Sequence, residues 1–324
     1  MIHLKIVSFA SQNPARQTEL ASAVHTLSDG HATIVFAESA ERAVQELADA
    51  DVLLAHRFTP ELLSAGRNLR WVHLTIAGVE KSLFPEFVDS EVTLTNSRGL
   101  HARPMAEWVM AALYYWSQDL ATADRWRRER EWKEPKKRMT ERRRNLQGLK
   151  ALVVGYGEVG RGIAALLHDN GITVEAVATK PRHDLCEVYP MELLEERLEE
   201  ADIVVLALPA TRATVGLFNR RLFPLFKDGS VLVNVARGSL LDEQDLLTAL
   251  DNGKPAYALL DVFADEPLPA DSPLFARDNV FMTPHVSGNF PEYTRQVHDI
   301  FAANLERYLN GEPLQSTVNK KRGY

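Results

Sequence analysis

From Leu149 onward, short β-branched runs alternate with helical ones, and this alternation constrains the fold more than any other feature of the chain. In order it reads LKALVVG, EVGRGIAALLHDNG, ITVEAV, MELLEERLEEA, DIVVLALP, SVLVNVA, EQDLLTALDNG, AYALLDV and NVFMTP. That pattern predicts a parallel sheet flanked by helices on both faces. Gly171 and Gly253 are expected to end helices, because glycine readily takes the left-handed conformation that closes one. The first hundred residues repeat the theme in a smaller α/β unit. LKIVSF, TIVFAES, DVLLA, RWVHLT and VTLTN read as strands, separated by helices such as Ala40–Leu47. Two long amphipathic runs, Pro104 to Leu120 and Pro291 to Leu309, flank the glycine-rich region and are expected to join two domains, with the last residues returning to the first.

A chain of 324 residues with 45% hydrophobic content can bury a substantial core and is long enough for two ordinary domains. No run approaches the roughly 20 apolar residues of a membrane helix, and no secretory pattern is visible, so the expected address is cytoplasmic, away from membranes. Cys186 stands alone, which excludes an intramolecular disulfide and leaves no cysteine cluster for zinc; it is read as inert, and no metal is expected. The net charge of −7 hides an asymmetry. Between Arg125 and Arg144 there are 11 Lys or Arg against 4 Asp or Glu, so this window carries +7 and the remainder −14. Clustered cations can neutralise phosphates. An acidic remainder would repel nucleic acid, so the window reads as a solvated or subunit-contacting arm rather than a nucleic-acid contact.

VVGYGEVG follows a predicted strand and opens a predicted helix. Gly155 permits the tight turn, Gly157 lets the backbone approach a pyrophosphate, and Gly160 allows helix to pack closely on strand. The phosphate would then meet the free N–H groups of a helix N-terminus, which makes this a candidate dinucleotide site. An acidic residue that holds a ribose hydroxyl is expected about 20 residues on, at the tip of the second strand. Glu175 has that spacing but lies inside ITVEAV, with Val177 and Ala178 still to come. The tip is then Ala178, followed by Thr179, Lys180, Pro181 and Arg182. A hydroxyl and cations suit a 2′-phosphate, which a carboxylate would repel, so NADP is the expected cofactor, with NAD possible.

Three further segments follow predicted strand ends, the edge where open α/β sheets hold ligands. VNVARGSLLDE carries Arg237, LLDVFADEP carries Asp261 and Glu266, and FMTPHVSG carries His285. Singly, Arg237 reads as a surface ion pair, Glu266 as a turn residue before Pro267, and His285 as a satisfied core histidine. Together, an arginine, a carboxylate and an imidazole can converge beside a nicotinamide.

The ordered set GYGEVG, NVARGSLLDE, DVFADEP and TPHVSG, with the supporting text EEADIVVLALPATRATVGLFN and SPLFARDNVFMTPH and, nearer the N-terminus, AGVEK and NSRGLHARPMAEW, resembles the D-isomer-specific 2-hydroxyacid dehydrogenase family over nearly the whole chain. Within it the sequence looks most like the glyoxylate and hydroxypyruvate reductases, whose NADP-preferring members also lack the acid at the second strand tip. The resemblance implies a doubly wound dinucleotide-binding domain, residues 99–290, inserted into a smaller flavodoxin-like substrate domain, residues 1–98 and 291–324. It also implies a homodimer, with an arm around 120–146 that reaches the second subunit and places Trp132 near the neighbour's pocket.

The same resemblance implies roles for single residues. Arg237 would hold the carboxylate and carbonyl of a small 2-oxo acid, His285 would give the carbonyl oxygen its proton, and Glu266 would favour the imidazolium and fix the ring. Ala77, Gly78 and Val79 would offer backbone N–H groups to the substrate carboxylate. Met105 would lie against the nicotinamide and Asp261 would meet its carboxamide. The cofactor set further takes in Tyr156, Gly157, Glu158, Val159, Gly160, Thr179, Lys180, Arg182, Leu208, Pro209, Thr214, Val235, Ala236 and Gly288. A formate-oxidising relative is disfavoured, because a glutamine stands there in place of Glu266. A phosphonate dehydrogenase and a dinucleotide-sensing corepressor remain the alternatives, the latter disfavoured by the lack of long low-complexity tails.

Overall fold

The structure is a computed structural model that describes residues 3–323. The chain forms two compact units, residues 1–100 with 290–324 and residues 101–289.

In the first unit, strands β1 (Leu4–Phe9), β2 (Ala32–Phe36), β3 (Val52–Ala55), β4 (Trp71–Leu74) and β5 (Thr93–Asn96) form a parallel sheet in the order β2-β1-β3-β4-β5. That order is the flavodoxin-like one. Helices α1 (Pro14–Leu27), α2 (Ala40–Glu46), α3 (Pro60–Ala65) and α4 (Pro85–Val88) make the crossovers. Asn13 starts α1 by accepting from the amides of Ala15 and Arg16, and Ser39 starts α2 by accepting from Arg42, which satisfies donors a helix start leaves unpaired. The last helix, Tyr293–Leu309, lays Phe301 on the buried Trp71 ring at 5.1 Å and Tyr308 on it at 5.4 Å. Truncating such a ring typically costs about 3–5 kcal/mol.

The second unit holds β6 (Lys150–Val154), β7 (Thr173–Ala178), β8 (Arg182–His183), β9 (Glu187–Pro190), β10 (Ile203–Leu206), β11 (Val231–Asn234), β12 (Tyr257–Leu260) and β13 (Val280–Met282). They pair in the order β13-β12-β11-β10-β6-β7-β9-β8, all parallel except β8 on β9. Numbered from β6 and passing over β8, the order is the 3-2-1-4-5-6 of a dinucleotide-binding fold, extended by one strand. β10 and β11 are buried along their whole length, as strands covered by helices on both faces must be. The unit's helices are α5 (Ala102–Ser117), α6 (Leu120–Glu129), α7 (Lys133–Arg142), α8 (Glu158–Asp169), α9 (Leu194–Glu200) and α10 (Glu243–Asp251). Gly171 and Gly253, both at positive φ, follow α8 and α10 as expected.

The helical expectations need three corrections. The run expected from Pro104 to Leu120 is α5, which starts at Ala102 and stops at Ser117, because Asp119 takes a left-handed φ of 52° and breaks the chain direction. Tyr293, not Pro291, begins the last helix. Neither helix runs from one unit into the other: the chain crosses just before each. The basic window is itself helical. It forms α6 and α7, and Asp124 gathers Arg127 at 3.2 Å and Arg128 at 2.5 Å. Trp126 and Trp132 meet edge to face at 5.4 Å, with Trp132 65% exposed. At the arm's base, Arg144 sits over Trp116 and donates to the Gly229 carbonyl. Of two neighbouring tyrosines in α5, Tyr115 packs on Phe281 at 4.5 Å, while the exposed Tyr114 donates its hydroxyl to Asn170. No described helix is long and apolar enough to cross a membrane.

Candidate active site

The glycine turn joins β6 to α8. Gly155 has φ +99°, and a side chain there would stand 2.7 Å from the Ala207 and Leu208 backbone. At Gly160 a Cβ would fall 2.0 Å from the Gly155 carbonyl oxygen, so the helix can approach the strand only without one. At Gly157, which caps α8, a Cβ would meet nothing within 4 Å. The turn is therefore closed where helix packs on strand and open where a ligand would approach. Glu158 is exposed beside it, Val159 half-buried, and Tyr156 buried, with burial first among the causes that push its phenol up to about 12. Pro209 and Thr214 belong to the loop after β10, where the Thr214 hydroxyl donates to the Pro209 carbonyl at 2.7 Å and accepts from the Thr211 amide. Leu208, Val235 and Ala236 are buried among the unit's apolar residues.

β7 ends at Ala178, and Glu175 sits within the strand, where Lys150 at 3.1 Å and Arg197 at 3.7 Å hold its carboxylate. Thr179 and Lys180 are exposed in the bend that follows. Arg182 turns toward the glycine turn: its guanidinium lies over the Tyr156 ring at 5.0 Å and donates to the Tyr156 carbonyl at 2.7 Å.

The three chemical segments sit beyond the C-terminal ends of β11, β12 and β13. Asn234, fully buried, accepts from the Ala236 amide and donates to the Arg237 carbonyl, both at 3.0 Å, and so fixes the turn that carries Arg237. A Cβ at Gly238 would fall 1.8 Å from the Phe263 carbonyl carbon, so that turn lies directly on the segment leading to Glu266. Glu266 accepts from the Phe263 amide at 3.0 Å through Oε1 and meets His285 Nδ1 at 2.7 Å through Oε2. Partial burial works to raise the Glu266 carboxyl. The His285 and Phe263 hydrogen bonds and the His285 and Arg237 charges outweigh it and hold the carboxyl below its usual range.

His285 itself has φ +54°, a conformation that costs energy for a residue with a side chain. Asp261 holds it there. This fully buried carboxylate accepts from the Thr283 hydroxyl at 2.5 Å and the Val286 amide at 2.9 Å through Oδ1, and from the Ser287 amide at 2.9 Å through Oδ2. Trp108 completes the support by donating to the Thr283 hydroxyl at 3.1 Å. The Asp261 implied as a carboxamide partner is thus, in its own contacts, the anchor of the histidine turn.

Met105, in α5, is half-buried against one of the unit's apolar clusters. Gly288 lies against a residue the sequence reading did not place, His101, whose ring Cδ2 is 2.6 Å from where a Gly288 Cβ would stand. His101 precedes α5, and no periodicity or spacing signals that its ring would meet the loop after β13. In the first unit, Asn96 donates to the Ala77 carbonyl at 2.6 Å, and Val79 is buried at the start of a short turn of helix. A cavity of about 910 Å³ opens near the C-terminal ends of β1 and β3, with Phe9, Gln12, His56 and Arg57 in its wall.

An imidazole backed by a carboxylate, an arginine at the next strand end and a glycine turn thus lie along the same edge of the sheet. Residues 110–287, more than half of the chain, match the family model described as D-isomer specific 2-hydroxyacid dehydrogenase, NAD binding domain. The chain belongs to the D-isomer specific 2-hydroxyacid dehydrogenase family. It is 30% identical to glyoxylate/hydroxypyruvate reductase A of Salmonella typhimurium over 286 residues, 85% of this chain and 88% of that protein. A family member from Aeromonas salmonicida has a crystal structure 32% identical in sequence, with a TM-score of 0.84 over 98% of this chain and 99% of that one. An NADPH-dependent glyoxylate/hydroxypyruvate reductase from Sinorhizobium meliloti, solved with NADP and sulfate, is 25% identical, with a TM-score of 0.84 over 99% of this chain and all of that one. This dehydrogenase is accordingly an oxidoreductase acting on the CH–OH group of its donor, with an NAD(P)-binding domain.

Proposed function

We propose that this dehydrogenase reduces a small 2-oxo acid of the glyoxylate and hydroxypyruvate kind, using NADPH. The observation that carries the reading is the contact of 2.7 Å between Glu266 and His285, at the same sheet edge as Arg237. The bound dinucleotide supplies the hydride. Arg237 presents a planar fork of donors to the paired oxygens of the acid and orients its C2. His285 gives a proton to the carbonyl oxygen during reduction and takes it back during oxidation. Glu266 stays ionised at neutral pH and favours the charged imidazolium, and Asp261 and Thr283 keep the ring in place. Ala77, Gly78 and Val79 supply amides for the substrate carboxylate, and the first unit is in this reading the substrate domain.

The preference for NADPH follows from the tip of β7. Ala178, Thr179 and Lys180 bring a hydroxyl and a cation there and no carboxylate, while Glu175 is held by Lys150 and Arg197. Arg182 has guanidinium donors beyond those given to the Tyr156 and Lys180 carbonyls. The arm formed by α6 and α7 is in this reading a dimer contact, its exposed Trp132 covered by a second copy; sedimentation at micromolar concentration gives a dimer if so. The test of function is loss of reduced-nicotinamide absorbance with glyoxylate, hydroxypyruvate, pyruvate and bulkier 2-oxo acids, each with NADPH and NADH. Turnover of the small acids with NADPH supports the proposal, and no turnover with any of them refutes it.

A further inference from the structure

The carbonyls from Leu74 to Ala77, where β4 runs out into its loop, are each held by a donor from elsewhere in the first unit. Leu74 accepts from the Ser97 amide and hydroxyl, both at 3.1 Å. Thr75 accepts from the Tyr293 hydroxyl at 2.5 Å. Ile76 accepts from the Ser97 amide at 3.4 Å, and Ala77 accepts from Asn96 Nδ2 at 2.6 Å. A trans peptide sets each carbonyl antiparallel to the amide that follows it, and no described peptide in this loop is cis. Holding the carbonyls of Thr75, Ile76 and Ala77 therefore turns the amides of Ile76, Ala77 and Gly78 away from their holders. None of these amides, nor that of Val79, donates to another described group. Successive amides turned away from tied carbonyls suit an anion.

The holders are fixed in turn. Ser97 gives its hydroxyl hydrogen to Leu74 and so accepts from His73 Nε2 at 3.1 Å; His73 Nδ1 then accepts from Thr95 at 2.8 Å, and Thr95 from Trp71 Nε1 at 2.8 Å. All four side chains are fully buried, and a buried network with every member paired rigidifies its surroundings. Asn96 lies within this braced segment at the end of β5. Its Oδ1 accepts from no described group, so the bond to Ala77 is the one its side chain makes among the described residues. We infer that Asn96 is a positioning residue, which turns the Gly78 amide toward the substrate carboxylate by holding the Ala77 carbonyl. The inference rests on the proposed function and adds to it a residue that acts through the loop.

The experiment compares steady-state reduction of glyoxylate with NADPH by the wild type, Asn96→Leu and Asn96→Ala. Leucine is close to asparagine in size and lacks its donor. Asn96→Ala, which can introduce no clash, carries the test if Asn96→Leu does not fold. Each variant should raise KM for glyoxylate by about tenfold, the loss of one hydrogen bond to a charged group. kcat and the KM for NADPH should change by less than about twofold, because the carboxylate is held equally in the ground and transition states. A role in stability alone lowers the unfolding midpoint and leaves the glyoxylate KM in place. A glyoxylate KM within about twofold of wild type in a folded variant, or an equal rise in the KM for NADPH, overturns the assignment of Asn96 alone. A wild type that reduces no 2-oxo acid overturns the proposed function, and this inference with it.

Discussion

Glu266→Gln should move the pH profile of 2-oxo acid reduction toward acid by about one unit. In the folded protein the Glu266 carboxyl is held below its usual range, so the pair is fully formed above ordinary carboxylate pKa values. Its contribution is lost only as pH falls through the lowered value. Glutamine keeps the shape and removes the charge. The contact to His285 Nδ1 is 2.7 Å long, with side chains 35% and 49% exposed. Hydrogen bonds to charged groups contribute about 1.5–3 kcal/mol, and exposure of this degree argues for the lower end. The variant's charged imidazolium is thus less favoured by about 1.5 kcal/mol, close to one pH unit. Reduction needs the protonated ring, so the fall in kcat/KM with rising pH should begin about one unit lower, while the acidic plateau is largely retained. Measuring kcat/KM for a 2-oxo acid from roughly pH 5 to 9 in both proteins reads the shift. A profile that stays in place or moves to higher pH refutes the role given to Glu266.

Three further outcomes follow from the same contacts. His285→Ala should lower turnover by about 10²–10⁴-fold with NADPH affinity nearly intact by fluorescence titration; near-normal turnover would remove the proton donor from this account. Gly238→Ala puts a Cβ 1.8 Å from backbone, which cannot swing aside, so chemical denaturation should show a loss above about 4 kcal/mol or no folded protein, and wild-type stability would contradict the packing described. Ala178→Asp combined with Lys180→Ala should shift the ratio of kcat/KM values from NADPH toward NADH by about ten- to a hundredfold. A retained NADPH preference would mean that the phosphate is held elsewhere, with Arg182 the next residue to replace.

The sheets were legible because buried parallel strands leave unmistakable traces: IVVL and VLVN are apolar from end to end, and both are wholly buried. The same holds for the glycine turn, where torsion and close approach each demand a missing side chain. Arg237, Glu266 and His285 were legible as strand-end residues, and their convergence came from the family resemblance. The arm was not. No described side chain of α7 is buried, so no apolar period marks it, and the break at Asp119 involves neither glycine nor proline. Side-chain direction was equally out of reach. The sequence places Asp261 at a strand end, but only tertiary neighbours reveal that its oxygens hold the histidine turn, that Arg182 lies on Tyr156, and that His101 fills the space left by Gly288.

The central claim is direct delivery of hydride to C2 of a 2-oxo acid by a D-specific dehydrogenase. NADPH carrying deuterium at the transferring position of its nicotinamide, incubated with pyruvate and the wild-type protein, tests it in one measurement by mass and chiral analysis of the product. D-lactate with one deuterium on C2 is the expected product. L-lactate, or D-lactate whose C2 hydrogen comes from solvent, would contradict it.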